Sequence, residues 1–248
     1  MKKFDLTIWL GLGIGLTAIF LGAWLDGLNL SFLWHPTAAL IVGGGTLGAV
    51  IVRRGADGVK SAFKAIWKLR LAETSEMHQA EMGKLTWLSR SAQKNGTKAF
   101  ENYAEASNDP LIAQGLLLVA EYADKQQIKD VLTRRLEWED ERGQQDAATL
   151  EAAGGFAPTF GILGAVLGLV GVLRVLDKPE ALGVGIATAF VATVYGIGLA
   201  NLFFFPLAAR LRARHEAFIK RREEIGAVIL ALAAKESPRQ IANRFNIK

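Results

Sequence analysis

The 248-residue chain has four long apolar segments, and a long charged segment separates the second from the third. None of the four contains Asp, Glu, Lys or Arg, and each has the roughly 17 to 25 residues that a helix needs to cross a bilayer. Lipid offers backbone groups no hydrogen-bond partners, and the segments lack the alternation of barrel strands, so they predict transmembrane helices. The segments comprise residues 7–25, 33–52, 156–173 and 183–207.

Two other interpretations of these segments are less consistent with the chain. Helices buried in a soluble core would require a much larger soluble domain to cover an apolar fraction of 51%. The start, Lys2-Lys3 followed by apolar residues, resembles a signal peptide, but the apolar run is too long and no small-x-small cleavage site follows it. We therefore expect the first segment to be retained as a helix.

The charged segment between the second and third spans also has helical periodicity. Between residues 56 and 71, apolar side chains and lysines fall on different faces, which predicts an amphipathic helix. A second helix is predicted from 74 to 94, before the helix stop Asn95-Gly96. A third begins at Asp109-Pro110, a favourable N-cap, and runs to about residue 124.

Two further helices are predicted to extend membrane spans into water. From residue 125 the pattern stays helical into the third span, with Gly154-Gly155 as a candidate break. The fourth span passes Pro206 and continues as a cationic amphipathic helix to about residue 235. The expected fold is all-α, a polytopic membrane protein with four transmembrane helices and a helical cytoplasmic domain between the second and third.

The predicted organisation has four parts. Residues 1–55 form the first transmembrane hairpin, and residues 56–153 form the cytoplasmic helical domain. Residues 154–209 form the second hairpin, and residues 210–248 form a cytoplasmic amphipathic helix with a basic tail.

Charge placement predicts the orientation of the spans. Residues 53–150 contain 15 basic and 15 acidic residues, whereas residues 210–248 contain 10 basic and 4 acidic ones. By the positive-inside rule, both termini and the central domain are expected on the cytoplasmic side of the membrane. The basic tail predicts contact with membrane lipids and no nucleic acid, since it adjoins a span and lacks interleaved aromatic residues. The basic residues at span ends are Lys2, Lys3, Arg53, Arg54, Arg210, Arg212 and Arg214.

Catalytic chemistry has little support in the sequence. The chain has no cysteine and its three histidines are scattered, so neither a metal site nor a cofactor is expected. The glycine clusters at 11–15 and 43–45 do not join a strand to a soluble helix, so we interpret them as close-packing faces and not as phosphate loops. We expect no enzyme.

Polar side chains are rare within the spans, and most lie in the fourth. Thr188, Thr193, Tyr195 and Asn201 must each find an internal partner or face a wet cavity. The hydroxyl of Thr193 has a purely structural alternative, a hydrogen bond to the carbonyl one helical turn earlier. Small residues form smooth helix-packing faces on both spans, namely Gly161, Gly164, Gly168 and Gly196.

Three regions of these spans resemble a known family. Residues 157–170 read APTFGILGAVLGLV and resemble the third span of the MotA/PomA flagellar stator subunits, in the MotA/TolQ/ExbB proton channel family. Residues 192–196 (ATVYG) and 199–208 (LANLFFFPLA) resemble the fourth span, and residues 35–46 (HPTAALIVGGGT) resemble the second. The resemblance implies a subunit that conducts ions and converts the flux into torque on the rotor for motility.

The resemblance also implies a partner. Five such chains, a homopentamer, would surround two copies of a subunit resembling MotB or PomB, which would supply an ion-binding aspartate. The residues agree, because the only titratable candidate in these spans for a proton relay is His35, at the outer end of its span.

Family roles carry over to individual positions. The ion pathway would include Thr193, Ala165, Ala192 and Tyr195. Ala165 and Ala192 stand where sodium-driven relatives have threonine, which favours H⁺ over Na⁺ as the transported ion. Pro158 and Pro206, near opposite ends of the second hairpin in sequence, would shape the helices that respond to the partner's aspartate.

Rotor contact is implied for the segment around residues 92–101. Lys94 and Glu101 match charged positions of the family, whereas Gln93 stands where arginine is usual, and Arg90 or Lys98 would substitute for it. The implied partner is a rotor switch protein resembling FliG. The structural alternative for these charges is an ordinary solvated face.

Two alternative functions stay open at this point. An ExbB- or TolQ-like energiser of outer-membrane transport shares the closing hairpin, but has one helix before the cytoplasmic segment where this chain has two. A non-conducting membrane scaffold would not require the ordered proline, threonine and small residues of the last two spans.

Overall fold

The computed structural model describes residues 3–4, 6–27, 30–69, 71–72, 75–177 and 179–247. Internal contacts divide the chain into two compact units. The apolar unit consists of Phe4–Leu71 and Gln144–Arg212, and the polar unit consists of Met1–Lys3, Ala72–Gly143 and Ala213–Lys248. All four predicted spans belong to the apolar unit.

The described part of the chain is almost entirely helical. Its two short strands, β1 (Lys3–Phe4) and β2 (Leu71–Ala72), pair in a two-stranded sheet. The helices are α1 (Thr7–Leu25), α2 (Pro36–Ala39), α3 (Gly45–Leu69), α4 (Ser75–Asn95), α5 (Lys98–Ala106), α6 (Pro110–Ala120), α7 (Lys125–Leu173), α8 (Pro179–Gly198), α9 (Phe205–Ala233) and α10 (Pro238–Arg244). A 3₁₀ turn (Leu30–Leu33) and two π turns (Leu40–Gly44 and Leu199–Phe204) complete the order.

Four helices in the described residues are long and apolar enough to cross a membrane. They are Thr7–Leu25, Pro36–Leu69, Lys125–Leu173 and Leu182–Ala233, and the last three are 34, 49 and 52 residues long. A span needs only about 20 residues, so these three continue well beyond the bilayer. The all-helical class and the four spans predicted from hydropathy are confirmed.

Local backbone chemistry sets the ends of several elements. His35 caps α2, with its ring accepting from the Ala38 N–H and Pro36 at the first helical position. Gly55, with φ 70° and ψ 166°, kinks α3 where the predicted span meets the predicted amphipathic helix. α6 ends at Ala120 and not near 124, because Tyr122 adopts a left-handed φ of 54°.

The candidate break at Gly154-Gly155 is wrong, because α7 runs through both glycines without interruption. A Cβ on Gly154 would lie 2.8 Å from the ring of Phe205, so this glycine makes room for an aromatic side chain. α5 and α10 are elements that the sequence analysis missed. α9 ends at Ala233, close to the predicted end. The predicted start at Thr74 lies outside the described residues, and α4 begins at Ser75.

The polar unit has a continuous hydrophobic core built from six helices. Gly115 lets α6 approach its neighbours, since a Cβ there would lie 3.0 Å from both Ile229 and Leu132. The core's large side chains with almost no exposed surface include Leu85, Leu111, Leu116, Ile128, Val228, Ile229 and Ile241. Phe100 and Ala104 of α5 belong to the same core, so α4, α5 and α9 pack against one another within the unit.

The apolar unit instead exposes its hydrophobic side chains. α1 has no buried residue, and Trp9, Ile14 and Trp24 are each more than half exposed. Such a surface is expected where lipid replaces water as the solvent. The four-part division into 1–55, 56–153, 154–209 and 210–248 stays a prediction, since the two units group segments by packing and not by membrane depth.

Candidate functional site

The third and fourth spans meet along a contact in which the backbones touch. A Cβ on Gly161 would lie 2.9 Å from the carbonyl oxygen of Ala192 and 3.3 Å from Cα of Gly196. A Cβ on Gly196 would lie 2.6 Å from the carbonyl oxygen of Ala157. Only glycine permits such an approach, because any Cβ at these positions would overlap backbone atoms that cannot rotate away.

The same contact continues for two further turns toward the C-terminal end of α7. A Cβ on Gly164 would lie 2.7 Å from Cβ of Ala192, and one on Gly168 would lie 2.7 Å from the carbonyl oxygen of Gly185. The four glycines that were predicted to pack helices therefore all lie in this contact. Gly161, Gly164 and Gly168 are on α7, and Gly196 is on α8. We call this surface the α7–α8 contact.

Pro158 and Thr193 lie beside this contact. Cα of Pro158 would be 3.1 Å from a Cβ on Gly196, and Cα of Thr193 would be 3.5 Å from a Cβ on Gly161. The hydroxyl of Thr193 donates to the carbonyl of Ala189 at 3.1 Å, which is the structural alternative considered above. Its oxygen lone pairs stay available as acceptors.

The two alanines predicted in the ion pathway occupy different surroundings. Ala192 is fully buried in a small cluster with Ala38, Val42 and Val191. Ala165 follows the contact glycine at 164 and is half-buried. Neither side chain supplies an oxygen ligand. Among the predicted pathway residues, Thr193 therefore provides the polar side-chain group at the α7–α8 contact.

Tyr195 points to a separate cluster at the start of the second span. Its hydroxyl donates to the carbonyl of Leu33 and lies 3.4 Å from the backbone nitrogen of His35. Nε2 of His35 lies 3.2 Å from Oγ1 of Thr188, whose hydroxyl also bonds to the carbonyl of Val184 at 2.9 Å. Tyr195 therefore ties span four to span two and does not join Thr193.

The His35 ring has a defined tautomer in this arrangement. Nδ1 accepts from the backbone N–H of Ala38 at 3.4 Å, so the ring proton is assigned to Nε2, which donates to Thr188. Both ring nitrogens therefore make contacts within the chain, which gives His35 a structural role. Sequence reasoning noted His35 only by its position and missed its pairing with Thr188.

The two prolines come close in space although they are distant in sequence. Gly154, one turn before Pro158, contacts the ring of Phe205, which precedes Pro206. Each proline lacks an N–H, so the carbonyls of Gly154 and Leu202 lose their usual helical donors. The prolines lie near opposite ends of the second hairpin only along the sequence. In the structure, the hairpin brings its first and last residues close together.

The segment predicted to contact the rotor forms an exposed helical corner. Arg90 and Lys94 are exposed on α4, and Lys98 and Glu101 are exposed on α5. Gly96, with φ 65°, makes the turn between the two helices. The structure brings these four charges to neighbouring turns of the polar unit, and their role in binding stays a prediction.

A buried ion network in the polar unit escaped the sequence analysis. The guanidinium of Arg222, only 6% exposed, donates to Glu139 at 3.0 and 3.1 Å and also to Asp109. Asp109 in turn caps α6 by accepting from Leu111 at 2.9 Å. Burial lowers the pKa of Arg222, but the bonds to Asp109 and Glu139 outweigh it and raise the pKa overall.

A second group with an altered pKa lies in the same unit. Burial and the neighbouring carboxylate of Glu81, which accepts from the phenol at 3.2 Å, raise the pKa of Tyr103 to about 12. No signal in the sequence marked Arg222 or Tyr103, since each depends on contacts between distant segments. Among the described residues no group of three or more His, Asp or Glu side chains could hold a metal ion.

Comparison with known proteins gives a consistent result along the whole chain. The model of the MotA/TolQ/ExbB proton channel family matches residues 103–224, and that of the motility protein A N-terminal region matches residues 9–96. Motility protein A of Helicobacter pylori (strain ATCC 700392 / 26695) is 31% identical over 97% of this chain and 93% of its own length. Chemotaxis protein PomA of Vibrio alginolyticus is 30% identical over 96% of this chain and 92% of its own length.

A solved structure agrees in fold. The chain from the flagellar MotAB stator complex of Bacillus subtilis superposes with a TM-score of 0.85 and 28% identity, covering 97% of this chain and 94% of that one. Both sequence and fold therefore match from the first span to the tail. This chain belongs to the MotA/TolQ/ExbB proton channel family and, within it, to the MotA and PomA stator subunits of the flagellar motor.

Proposed function

We propose that this stator subunit forms a ring of five copies around two copies of a MotB- or PomB-like partner, whose aspartate carries the ion. The partner's role is supported most directly by the second hairpin, which has a glycine-lined contact and no acidic or basic side chain in either span. A membrane path for protons requires a titratable group. The Bacillus subtilis relative belongs to a MotAB stator complex, and a MotB-like partner of this chain would supply that group.

We further infer that the ion is H⁺. Sodium needs several oxygen ligands, and the pathway positions Ala165 and Ala192 carry methyl groups. A carboxylate on the partner needs no extra ligand in order to take up a proton.

The coupling would follow from burial of the partner's carboxylate in an apolar ring. An apolar environment disfavours the charged form, so the group is neutral inside the ring and ionises where water reaches it. Each charge that crosses the membrane potential releases roughly 2.3 kcal/mol per 100 mV, a scale that suffices to shift packed helices. α7 and α8 would move together, because their backbones interlock at Gly161 and Gly196.

Transmission to the rotor would use the long helices. α7 continues without a break from Lys125 through Pro158 to Leu173, so a tilt at the proline is carried along the helix. The exposed charges Lys98 and Glu101 on α5 would meet a rotor switch protein resembling FliG. This assignment requires the inner-membrane, multi-pass chain to have both termini and the polar unit in the cytoplasm.

A single experiment tests the ion and the activity together. The chain is expressed with its cognate partner in a cell that lacks other stators, and the rotation of tethered cells is recorded. We expect rotation in sodium-free medium and its arrest when the proton gradient is collapsed. Rotation that requires sodium would overturn the assignment of the ion, and no rotation in either medium would overturn the proposed function.

A further inference from the structure

A groove in the apolar unit lies between the start of the first span and the end of the fourth. Its volume is about 370 Å³, within the range of small-ligand sites. The lining residues on α1 include Thr7, Gly11 and Leu12, and those on the fourth span include Leu202, Leu207 and Arg210. The groove is lined by none of the predicted pathway or rotor residues and by no glycine of the α7–α8 contact, while Pro206, predicted to shape the fourth span, lies in its wall.

Two glycines of α1 define the shape of the groove. A Cβ on Gly15 would lie 3.0 Å from Cδ2 of Leu202, so the two spans touch at this level. One turn earlier, a Cβ on Gly11 would meet nothing within 4 Å. Nearer the start of α1, Ile8 packs against the cluster that contains Ala208 and Leu211, so the gap at Gly11 lies between two points of contact and is closed at its deeper end.

The mouth of the groove is cationic and its walls are apolar. Arg210 is exposed and donates to Oγ1 of Thr7 at 3.3 Å, which fixes the guanidinium at the level where α1 begins. Above it, Leu12, Leu202 and Leu207 provide aliphatic walls that are only partly covered by the chain itself. An occupant that suits both regions has a negative head and a long hydrocarbon tail.

We propose that the groove binds one anionic phospholipid, with an acyl chain between α1 and the fourth span and its phosphate at Arg210. Both walls belong to membrane spans, so hydrocarbon surrounds the groove and supplies the ligand at high local concentration. A guanidinium matches a phosphate in charge and in hydrogen-bond geometry. The inference goes beyond the proposed function, since it would hold whichever ion the stator uses.

The test uses the complex with its partner, reconstituted in vesicles of equal parts phosphatidylglycerol and phosphatidylcholine and released gently for native mass spectrometry. We expect the wild-type complex to retain phosphatidylglycerol in preference to phosphatidylcholine. Gly11→Leu fills the groove and should abolish this retention. Gly13→Leu is the matched control, because a Cβ on Gly13 also meets nothing within 4 Å but Gly13 does not line the groove.

Two further variants distinguish the occupant. Arg210→Ala should lower the preference for phosphatidylglycerol about fivefold, the factor expected for roughly one surface cation. The chain has no cysteine, so Gly11→Cys accepts a single thiol-reactive photocrosslinker, which should join phosphatidylglycerol in excess of its bulk share. Equal lipid retention by Gly11→Leu and wild type would overturn the proposal, as would crosslinking of Gly11→Cys to another polypeptide. Neither result would bear on rotation, which tests the proposed function separately.

Discussion

The α7–α8 contact offers the sharpest prediction of a mutational effect. In Gly161→Ala, the new methyl carbon would start 2.9 Å from the carbonyl oxygen of Ala192, whereas ordinary contacts of this kind begin at 3.4 Å. The two helices must therefore separate locally by about half an ångström. Both atoms in the clash are fixed to helical backbone, so no side-chain rotation can relieve it.

The size of the effect follows from packing. A gap of about 0.5–1 Å forfeits roughly a quarter to a half of the dispersion energy across it, and overpacking a tight site costs about 1–3 kcal/mol. The matched control is Gly171→Ala on the same helix, where a Cβ would meet nothing within 4 Å. In this control the free energy of unfolding should rise by up to about 1 kcal/mol, because alanine has a higher helix propensity than glycine.

The assay is unfolding of the purified subunit from mild detergent by increasing fractions of sodium dodecyl sulfate, followed by circular dichroism. Gly161→Ala should unfold at a lower fraction than wild type, and Gly171→Ala should not. Gly196→Ala should resemble Gly161→Ala, because its Cβ would start 2.6 Å from the carbonyl oxygen of Ala157. Identical curves for Gly161→Ala and Gly171→Ala would refute the close backbone approach.

Three further predictions concern the polar unit. The phenol of Tyr103 should stay protonated until about pH 12, against roughly 10 in an unfolded chain. Its contribution to stability is therefore fully present below about pH 10 and is lost as the pH rises toward 12, which a phenolate absorbance titration against Tyr103→Phe measures. Arg222→Met removes the cation that Asp109 and Glu139 share, and only Glu139 keeps another one, Arg135 at 3.0 Å. The variant should lower the free energy of unfolding by about 3–5 kcal/mol, measured by thermal denaturation. Glu101→Lys should reduce torque while the stator still assembles, measured by bead rotation and membrane co-purification with the partner.

Each of these has a result that contradicts it. Ionisation of the Tyr103 phenol near pH 10 would remove the role assigned to Glu81. For Arg222 the control is Arg244→Met, an exposed ion pair with Glu236 that should cost about 0–1 kcal/mol, and equal losses in both variants would exclude a special role for burial. Normal torque in Glu101→Lys would leave the rotor contact without support.

Hydropathy predicted the membrane part well, because lipid imposes a single requirement on every span. α1 matches its predicted bounds at both residues, and Gly55 falls where the second span was expected to give way to an amphipathic helix. Sequence patterning did not predict the π turns Leu40–Gly44 and Leu199–Phe204, because the spans are largely apolar on all sides and show no period that a wider turn would interrupt. The sequence also suggested a helix break at Gly154-Gly155, whereas the structure shows that Gly154 makes room for the ring of Phe205 in a continuous helix.

The polar unit was harder, because its helices are short and its key contacts are distant in sequence. α10 could have been found, since Ser237 and Gln240 form a capping box with Pro238 at the first helical position. The pairing of Arg222 with Asp109 had no local signal, because 113 residues separate the two. Likewise the sequence left two roles open for the hydroxyl of Thr193, the ion pathway and a hydrogen bond within its own helix. The structure shows the bond to the Ala189 carbonyl.

The central claim is that this chain surrounds an acid that it does not itself contain. The most direct measurement is proton flux into liposomes that hold the chain alone, the chain with its partner, or the chain with a partner whose membrane aspartate is changed to asparagine. We expect flux only in the second preparation, because spans of this chain carry no Asp or Glu. Proton-selective flux through the chain alone would contradict the account.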